Sequence, residues 1–152
     1  MILSRACNYG ILATLYIAKE ERGKSGYTSI RKLSKELNIS FHFLTKILQT
    51  LTSEGILHSH KGPKGGVMLA KKAEEVTILD LIYAIDGPEI FFECVLGLPG
   101  CGNERPCPLH DQWAEVRANL KAMFEEKTLA DTAGEIEEMK LRLSSFVKGE
   151  VS

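Results

Sequence analysis

Three of the four cysteines, Cys94, Cys101 and Cys107, lie within a short stretch of the chain, and His110 follows the last of them. Their spacing is C-x6-C-x5-C-x2-H. Thiolates are soft ligands that suit Fe–S clusters, zinc and copper(I), and the imidazole offers a fourth, nitrogen ligand. Glycines and prolines interrupt the stretch repeatedly, which excludes a regular helix and predicts a flexible loop that folds the thiolates around one centre.

The residues alone leave several interpretations of this loop open. Zinc takes four N or S ligands, but its sites usually show a tighter C-x2–4-C pair, which is missing here. The other two interpretations are a metal-free thiol switch and three cysteines without a common role. A Cys107–His110 nucleophile and base would lack an orienting third group, so we expect no enzyme. Cys7 is predicted to be a small buried hydrophobic residue in a first helix over about residues 3–20.

The composition is that of an ordinary globular protein, with 44% hydrophobic and 26% charged residues in 152. No apolar run approaches the ~18 residues that span a bilayer, and no signal-peptide cleavage pattern is seen, so we expect a cytoplasmic protein without a membrane partner. Residues 1–72 carry twelve Lys and Arg against four Asp and Glu, whereas residues 73–152 carry seven against sixteen. This asymmetry predicts that the basic half meets a polyanion, unless the charges only solvate two faces.

Residues 28–53 have the pattern of a helix-turn-helix. Thr28 and Ser29 can cap a helix that ends at the turn Asn38–Ser40, and Ser40 can cap a second helix, Phe41–Ser53. The second helix has an apolar stripe of Leu44, Ile47, Leu48 and Leu51 and a polar stripe of His42, Thr45, Lys46 and Gln49. The polar stripe would face base edges in a major groove, whereas a plain pair of packed helices is the alternative.

The segment that follows predicts a β-hairpin. Gly55 ends the helix as a C-cap, and extended runs over 56–60 and 67–70 flank a turn rich in glycine and proline. The turn, here called the wing tip, comprises Lys61, Gly62, Pro63, Lys64, Gly65 and Gly66. Two cations and bare backbone amides suit phosphate contact and entry into a minor groove. The predicted fold is therefore mainly α with a small β-hairpin wing, a winged helix-turn-helix that binds double-stranded DNA.

A long helix over 111–126 has an apolar seam of Trp113, Val116, Leu120 and Met123, with Phe124 beside it. The seam predicts a homodimer in which two copies of this helix pair and bind a near-palindromic operator. The alternative is that the seam packs against its own domain. We expect Trp113 in a core rather than at a cofactor. A second stripe, Ile136, Met139, Leu143 and Phe146, predicts a further helix. The predicted layout is a DNA-binding domain at 1–86, a cysteine loop at 87–110, a dimerisation helix at 111–133 and a C-terminal helix or tail at 134–152.

Three segments, Leu3–Ser4 with Tyr9–Gly10, Ser40–Leu44 and Lys61–Gly66, resemble the Rrf2 family of bacterial winged-helix regulators. The resemblance covers roughly residues 1–133, and the Gly-Pro-x-Gly-Gly wing is its most specific part. It implies a homodimeric repressor or activator that takes no small-molecule substrate. By position, Ser40, His42, Phe43 and Lys46 would face DNA, and Lys61 with the wing glycines would lie at the minor groove.

The cysteine pattern resembles that of the iron–sulfur branch of this family, except that the first spacer is one residue longer. The resemblance implies an Fe–S cluster on Cys94, Cys101, Cys107 and His110, with 2Fe–2S favoured and 4Fe–4S as the second candidate. Another branch takes an acidic ligand from the partner subunit at the position of Asn8, which is neutral here. Ligation would order the loop and set the spacing of the two recognition helices. The alternative is a metal-free repressor controlled by a partner protein or by thiol oxidation, as in a further branch of the family.

Overall fold

The computed structural model describes residues 2–23 and 26–138, and its chain is mainly helical with one β-hairpin, as predicted. The elements are α1 (Arg5–Gly23), α2 (Ile30–Leu37), α3 (Phe41–Ser53), β1 (Leu57–His60), β2 (Gly66–Leu69), α4 (Ile78–Ile85), α5 (His110–Glu126) and α6 (Leu129–Glu138). Short 3-10 turns lie at Ala73–Glu75 and Glu89–Phe91. Within the described ranges, no helix combines the length and the apolar character needed to cross a lipid bilayer.

The helix-turn-helix is formed by α2 and α3. The side chain of Ser29 caps α2 by accepting a hydrogen bond from the amide of Lys32. Asn38 ends α2 in the left-handed conformation, with φ 51°, which asparagine tolerates better than most residues. Ser40 occupies the N-cap position of α3, but its side chain makes no capping hydrogen bond; only its carbonyl accepts, from the amide of Leu44 at 2.9 Å.

Helix α3 buries the predicted apolar stripe from Leu44 to Leu51 and ends at Ser53, with Glu54 at the C-cap position and the predicted Gly55 directly after it. With φ +76°, Gly55 turns the chain so that its amide bonds to the carbonyl of Thr52 and the amide of Ile56 bonds to that of Leu51. This pair of bonds satisfies carbonyls that the helix end would leave free. The chain therefore enters the hairpin directly after the recognition helix.

The hairpin pairs β1 with β2 in antiparallel register, with Leu57 opposite Leu69 and His60 opposite Gly66. Thr28, in the segment before α2, forms an isolated antiparallel bridge with Val67 of β2. The two residues exchange two backbone hydrogen bonds, at 2.8 and 2.9 Å. The wing is thus tied to the helix-turn-helix by backbone pairing.

Helix α1 packs against α3, α4, α6 and the hairpin. It begins at Arg5 and ends at Gly23, slightly later than the predicted 3–20. Gly10 lies where α1, α3 and α4 meet, because a Cβ there would run into the side chain of Ile85 and press on that of Ile47. Helices α3 and α4 therefore approach each other across a glycine of α1.

The segment 111–133 is two helices rather than one. Helix α5 ends at Glu126, and Thr128 starts α6 by exchanging capping hydrogen bonds with Asp131. The linker also pairs with the entry to α4, through the bond from the Ile78 amide to the Lys127 carbonyl. Helix α6 then packs on α1. Of the predicted further stripe, Ile136 is half-buried against the core, while Met139, Leu143 and Phe146 lie outside the described residues.

Candidate metal centre and nucleic-acid interface

The residues predicted to face a major groove form an exposed surface on α3. Ser40, His42, Phe43, Lys46 and Gln49 are exposed, and Thr45 is half-buried. A cleft of about 740 Å³ separates this helix from the wing. The hairpin and α3 thus present their predicted contact residues on the two sides of one open groove.

Two side chains of this surface are already engaged within the protein. The hydroxyl of Thr45 donates to the carbonyl of Phe41 at 2.7 Å. The ring of Phe43 packs edge-on against Tyr9 of α1, with ring centroids 5.7 Å apart, and remains 37% exposed. Phe43 therefore connects α1 with the exposed surface of α3 that is predicted to face DNA.

Two of the three wing-tip glycines lie too close to neighbouring backbone to carry a side chain, whereas Gly62 has open space and a φ of +116°. A Cβ on Gly65 would collide with the carbonyl of His60, and one on Gly66, where φ is +151°, with the carbonyl of Thr28. Lys61 and Lys64 are exposed and carry the positive charge of the tip. The backbone is thus fixed by close contacts with His60 of β1 and with Thr28 before α2, while Lys61 and Lys64 are exposed.

Sequence reasoning missed Arg31 on the wall of the cleft. Its guanidinium lies over the ring of Phe41, 5.5 Å from the centroid. Tyr27 similarly stacks on His60, with centroids 5.2 Å apart. An arginine in the first turn of the helix before a recognition helix is the signal that could have identified it.

The three loop cysteines come together as predicted. Their sulfur atoms all lie within 4.8 Å of one another, and the Sγ atoms of Cys94 and Cys107 are 3.6 Å apart. All three are half-buried at a cavity of about 240 Å³. Cys7 is apart from them, fully buried in the core as expected.

His110 joins the three sulfurs as the first residue of α5. Its Nδ1 lies 3.4 Å from Sγ of Cys101, and its Nε2 lies 3.2 Å from Oδ1 of Asn103. A histidine ligand usually has its other ring nitrogen held by such a partner, which fixes the tautomer. Asn103 was not predicted from the sequence.

The protonation chemistry differs among the cysteines. The hydrogen bond from the Leu98 amide, opposed by burial, lowers the pKa of Cys94 to about 7. Burial raises the pKa of Cys107. Burial, with the nearby charge of Asp86, raises the pKa of Cys7 to about 12. Metals bind the thiolate, so the loop and not the core holds the reactive sulfur. Three converging thiols beside an imidazole are a donor set that fits an Fe–S cluster or another soft metal.

Two side chains of α5 hold the entry to the loop. The indole Nε1 of Trp113 donates to the carbonyl of Glu93 at 2.8 Å, and Nη1 of Arg117 donates to the carbonyls of Phe92 and Glu93. Trp113 is half-buried at the cysteine cavity, so the expectation that it belongs to a core was wrong. Its spacing from His110, together with that of Arg117, places all three on one helix face and could have revealed this role.

The start of the loop is also joined to α1. The carboxylate of Asp86 accepts hydrogen bonds from the amide and the hydroxyl of Ser4, and the Ser4 hydroxyl in turn accepts one from the amide of Cys7 at 3.0 Å. These bonds cap the first turn of α1. The start of the cysteine loop is therefore anchored twice, to α1 through Asp86 and to α5 through Trp113 and Arg117.

The apolar seam of α5 divides between two surroundings. Leu120 and Phe124 pack against the core, whereas Val116 and Met123 are 46% and 51% exposed. Further exposed apolar side chains lie on the cysteine loop, namely Phe92, Val95, Leu96, Leu98 and Leu109. Of these, Phe92 lines the cysteine cavity.

Comparison with known proteins places this fold among transcription factors. A family model described as Rrf2, iron-dependent transcriptional regulator, matches residues 3–135. The protein rrf2 of Nitratidesulfovibrio vulgaris is 30% identical over 131 residues, which is 86% of this chain and 86% of that one.

Two solved structures are similar in fold. The structure of CymR, the global cysteine regulator of B. subtilis, superposes with a TM-score of 0.74 at 26% identity, covering 88% of this chain and 96% of that one. The IscR structure of T. potens superposes with a TM-score of 0.72 at 21% identity, covering 90% and 89%. These relatives are regulators and not enzymes, as expected for this sequence. With its family model matching nearly the whole described length, the chain belongs to the Rrf2 family of transcriptional regulators.

Proposed function

We propose that the protein is a cytoplasmic, homodimeric transcription regulator whose operator affinity is set by an Fe–S cluster that senses redox state, nitric oxide or iron supply. The ligands are Cys94, Cys101, Cys107 and His110. The observation that carries the proposal is the convergence of the three Sγ atoms within 4.8 Å, with the imidazole of His110 in contact with one of them. Four ligands suffice for either a 2Fe–2S or a 4Fe–4S cluster; the resemblance of the cysteine pattern to the iron–sulfur branch of the family favours 2Fe–2S, and 4Fe–4S is the second candidate.

The chain's own residues prepare this ligand set. The amide of Leu98 stabilises the thiolate of Cys94, and Asn103 orients the ring of His110. Trp113 holds the carbonyl of Glu93, next to the first ligand. A bound cluster would supply a redox-active, oxidant-sensitive centre whose loss or change of charge alters the loop.

Coupling to DNA would run from the loop through α4 to the recognition helix. Asp86, at the start of the loop, ends α4, and the neighbouring Ile85 packs at Gly10 together with Ile47 of α3. A change in the loop that displaces Ile85 would therefore press on α3 through a close-packed contact. A coupling free energy of ~1–3 kcal/mol, or ~5–150-fold in affinity, is typical of such switches.

The DNA contacts of this proposal lie on α3 and on the wing. Ser40, His42, Phe43, Thr45, Lys46 and Gln49 would enter the major groove, and Lys61, Gly62, Pro63, Lys64, Gly65 and Gly66 the minor groove. The open cleft between these elements and the exposure of the three lysines support this assignment. Pairing of two copies through the exposed Val116 and Met123 would present two such surfaces to a near-palindromic operator.

A metal-free regulator of the CymR kind, controlled by a partner protein or by thiol oxidation, is the second candidate. The 3.6 Å separation of the Cys94 and Cys107 sulfurs favours it, as does the similarity to the CymR structure. Hydrogen peroxide would take two electrons and two protons from these thiols, leaving one disulfide and two waters.

Purification under strict exclusion of oxygen tests the proposal. We expect iron and acid-labile sulfide in stoichiometric amounts and visible absorption bands, all lost in Cys94→Ser and retained in the control Cys7→Ala, which removes a sulfur from the core. Wild-type protein that is colourless after reconstitution with iron and sulfide, and that binds its operator fully, would establish the metal-free candidate instead.

A further inference from the structure

One donor at the cysteine cavity has no partner in the described structure. Nε of Arg117 is buried and makes no hydrogen bond, whereas Nη1 of the same guanidinium donates to the carbonyls of Phe92 and Glu93. Arg117 lines the cavity together with the three loop cysteines and His110. A buried charged group with an unused donor is costly, so the site lacks an acceptor that the described part of the protein does not provide.

No carboxylate of the described residues lies within ion-pair distance of Arg117. No Asp or Glu of that part of the chain lines the cavity, and the ion pairs found there, Lys32–Glu20 and Lys127–Glu135, lie elsewhere. The remaining groups in the cavity that become negative are the thiols. The guanidinium therefore has anionic sulfur as its natural partner.

We propose that Arg117 is a positioning and charge-compensating residue for the sulfur-ligated centre, with its Nε–H donating to a sulfur atom of that centre. This inference rests on the proposed function. Three thiolates give an oxidised 2Fe–2S centre a net charge of about −1, and one added electron makes it about −2. A fixed positive charge stabilises the more negative state, so Arg117 favours the reduced form and raises the reduction potential.

The position of Arg117 on α5 supports this role. His110 and Arg117 are seven residues apart, two turns along one rigid helix face, so the nitrogen ligand and the cation move together. The same guanidinium grips the two carbonyls that precede Cys94. One residue thus ties the start of the loop to the helix and places its charge in the wall of the cavity that the three cysteines also line.

Anaerobic redox titration with dithionite as the electron donor, followed by visible absorption, tests the proposal. In Arg117→Met and Arg117→Gln we expect the reduction equilibrium to move about tenfold against the reduced form, which is about 59 mV for one electron. Arg117→Lys keeps the charge without the planar fork and should recover at least half of the shift. Arg105→Met, which removes an equal charge from an exposed position of the same loop, should leave the potential unchanged.

The outcomes separate this inference from the proposed function. Wild-type protein that assembles a cluster, with Arg117→Gln at the same potential, overturns the inference and leaves the proposed function standing. Wild-type protein that assembles no cluster overturns both. If Arg117→Met retains no iron, the potentials of Arg117→Gln and Arg117→Lys decide, and equal values for these two variants also overturn the inference.

Discussion

The wing tip and the cysteine loop are both rich in glycine and proline, but the structure fixes them in different ways. In the wing, Gly65 and Gly66 leave no room for a Cβ, because the carbonyls of His60 and Thr28 are too close. In the cysteine loop, a Cβ on Gly97, Gly100 or Gly102 would meet no described atom within 4 Å. These two wing positions are fixed by close backbone contacts, with His60 of β1 and with Thr28 before α2, whereas the three loop glycines have space around them.

What brings the loop together is its side chains. The sulfurs of the three cysteines converge, and Trp113 and Arg117 hold the carbonyls that precede them. A segment organised in this way depends on what its sulfurs bind, whereas the wing is complete as the chain folds. In the proposed regulator, DNA recognition is therefore built into the fold, and its control depends on what the loop binds.

The largest expected difference is in thiol reactivity, between a cysteine of the loop and the cysteine buried in α1. With pKa values of about 7 and about 12, Cys94 has about five orders of magnitude more thiolate than Cys7 at pH 7. In metal-free, reduced protein we expect iodoacetamide to alkylate Cys94 quickly, with a rate that rises with pH and reaches half its plateau near pH 7. Cys7 should stay unmodified while the protein is folded, as measured by peptide mass spectrometry.

Urea provides the control for this experiment. In unfolded protein, Cys7 should react as readily as the other cysteines, because its protection comes from burial in the core. Rapid alkylation of Cys7 in folded protein would mean that the core around α1 opens as readily as the cysteine loop. That result would contradict the difference between the two regions described above.

Next in size is the effect of the wing cations on DNA affinity. The double variant Lys61→Ala/Lys64→Ala should bind DNA about tenfold or more weakly at moderate salt, to the same extent for every sequence. The slope of log affinity against log salt should become shallower by about 0.9 for each phosphate that the variant no longer neutralises. Filter binding or fluorescence anisotropy over a salt series measures both.

A charge-matched control uses the other half of the molecule. Arg105→Ala/Lys127→Ala also removes two positive charges, but from the cysteine loop and the α5–α6 linker. It should leave the salt slope unchanged, and a slope altered equally in the two double variants would count against a specific role of the wing.

The smallest expected effect compares one glycine from each segment. Neither Gly65 nor Gly102 has a positive φ, so substitution by alanine tests space alone. Gly65→Ala should lower the free energy of unfolding by about 1–3 kcal/mol, because the new methyl group meets the His60 carbonyl. Gly102→Ala should change it by about 0.5 kcal/mol or less. Urea denaturation of the two metal-free variants measures the difference, and equal losses would show that both segments are equally constrained.

Much of the DNA-binding half could be predicted because its signals are local. The turn at Asn38, the C-cap at Gly55 and the apolar stripe of α3 each act over a few residues, and each formed where the pattern placed it. The grouping of the loop cysteines was also predictable, since they are close in sequence and the chain between them is flexible.

What the sequence did not reveal depends on contacts between distant segments. From the sequence, Trp113 fits two interpretations equally well: an apolar seam of α5, or a helix face shared with His110. Only the folded loop shows that its indole donates to the Glu93 carbonyl. The break at Thr128 similarly depends on pairing of the linker with the entry to α4, far earlier in the chain. Asp86 and Ser4 meet across the fold, and no periodic pattern connects them.

The central claim is that the sulfur-ligated loop sets how strongly the paired DNA-binding surfaces hold an operator. The most direct measurement is the anaerobic dissociation constant for one operator fragment, with wild-type protein before and after removal of the cluster and with Cys94→Ser/Cys101→Ser/Cys107→Ser. The account predicts a difference of about 5–150-fold between the two wild-type forms, and a single value for the variant, equal to that of the cluster-free protein. Equal affinities for the two wild-type forms would contradict it.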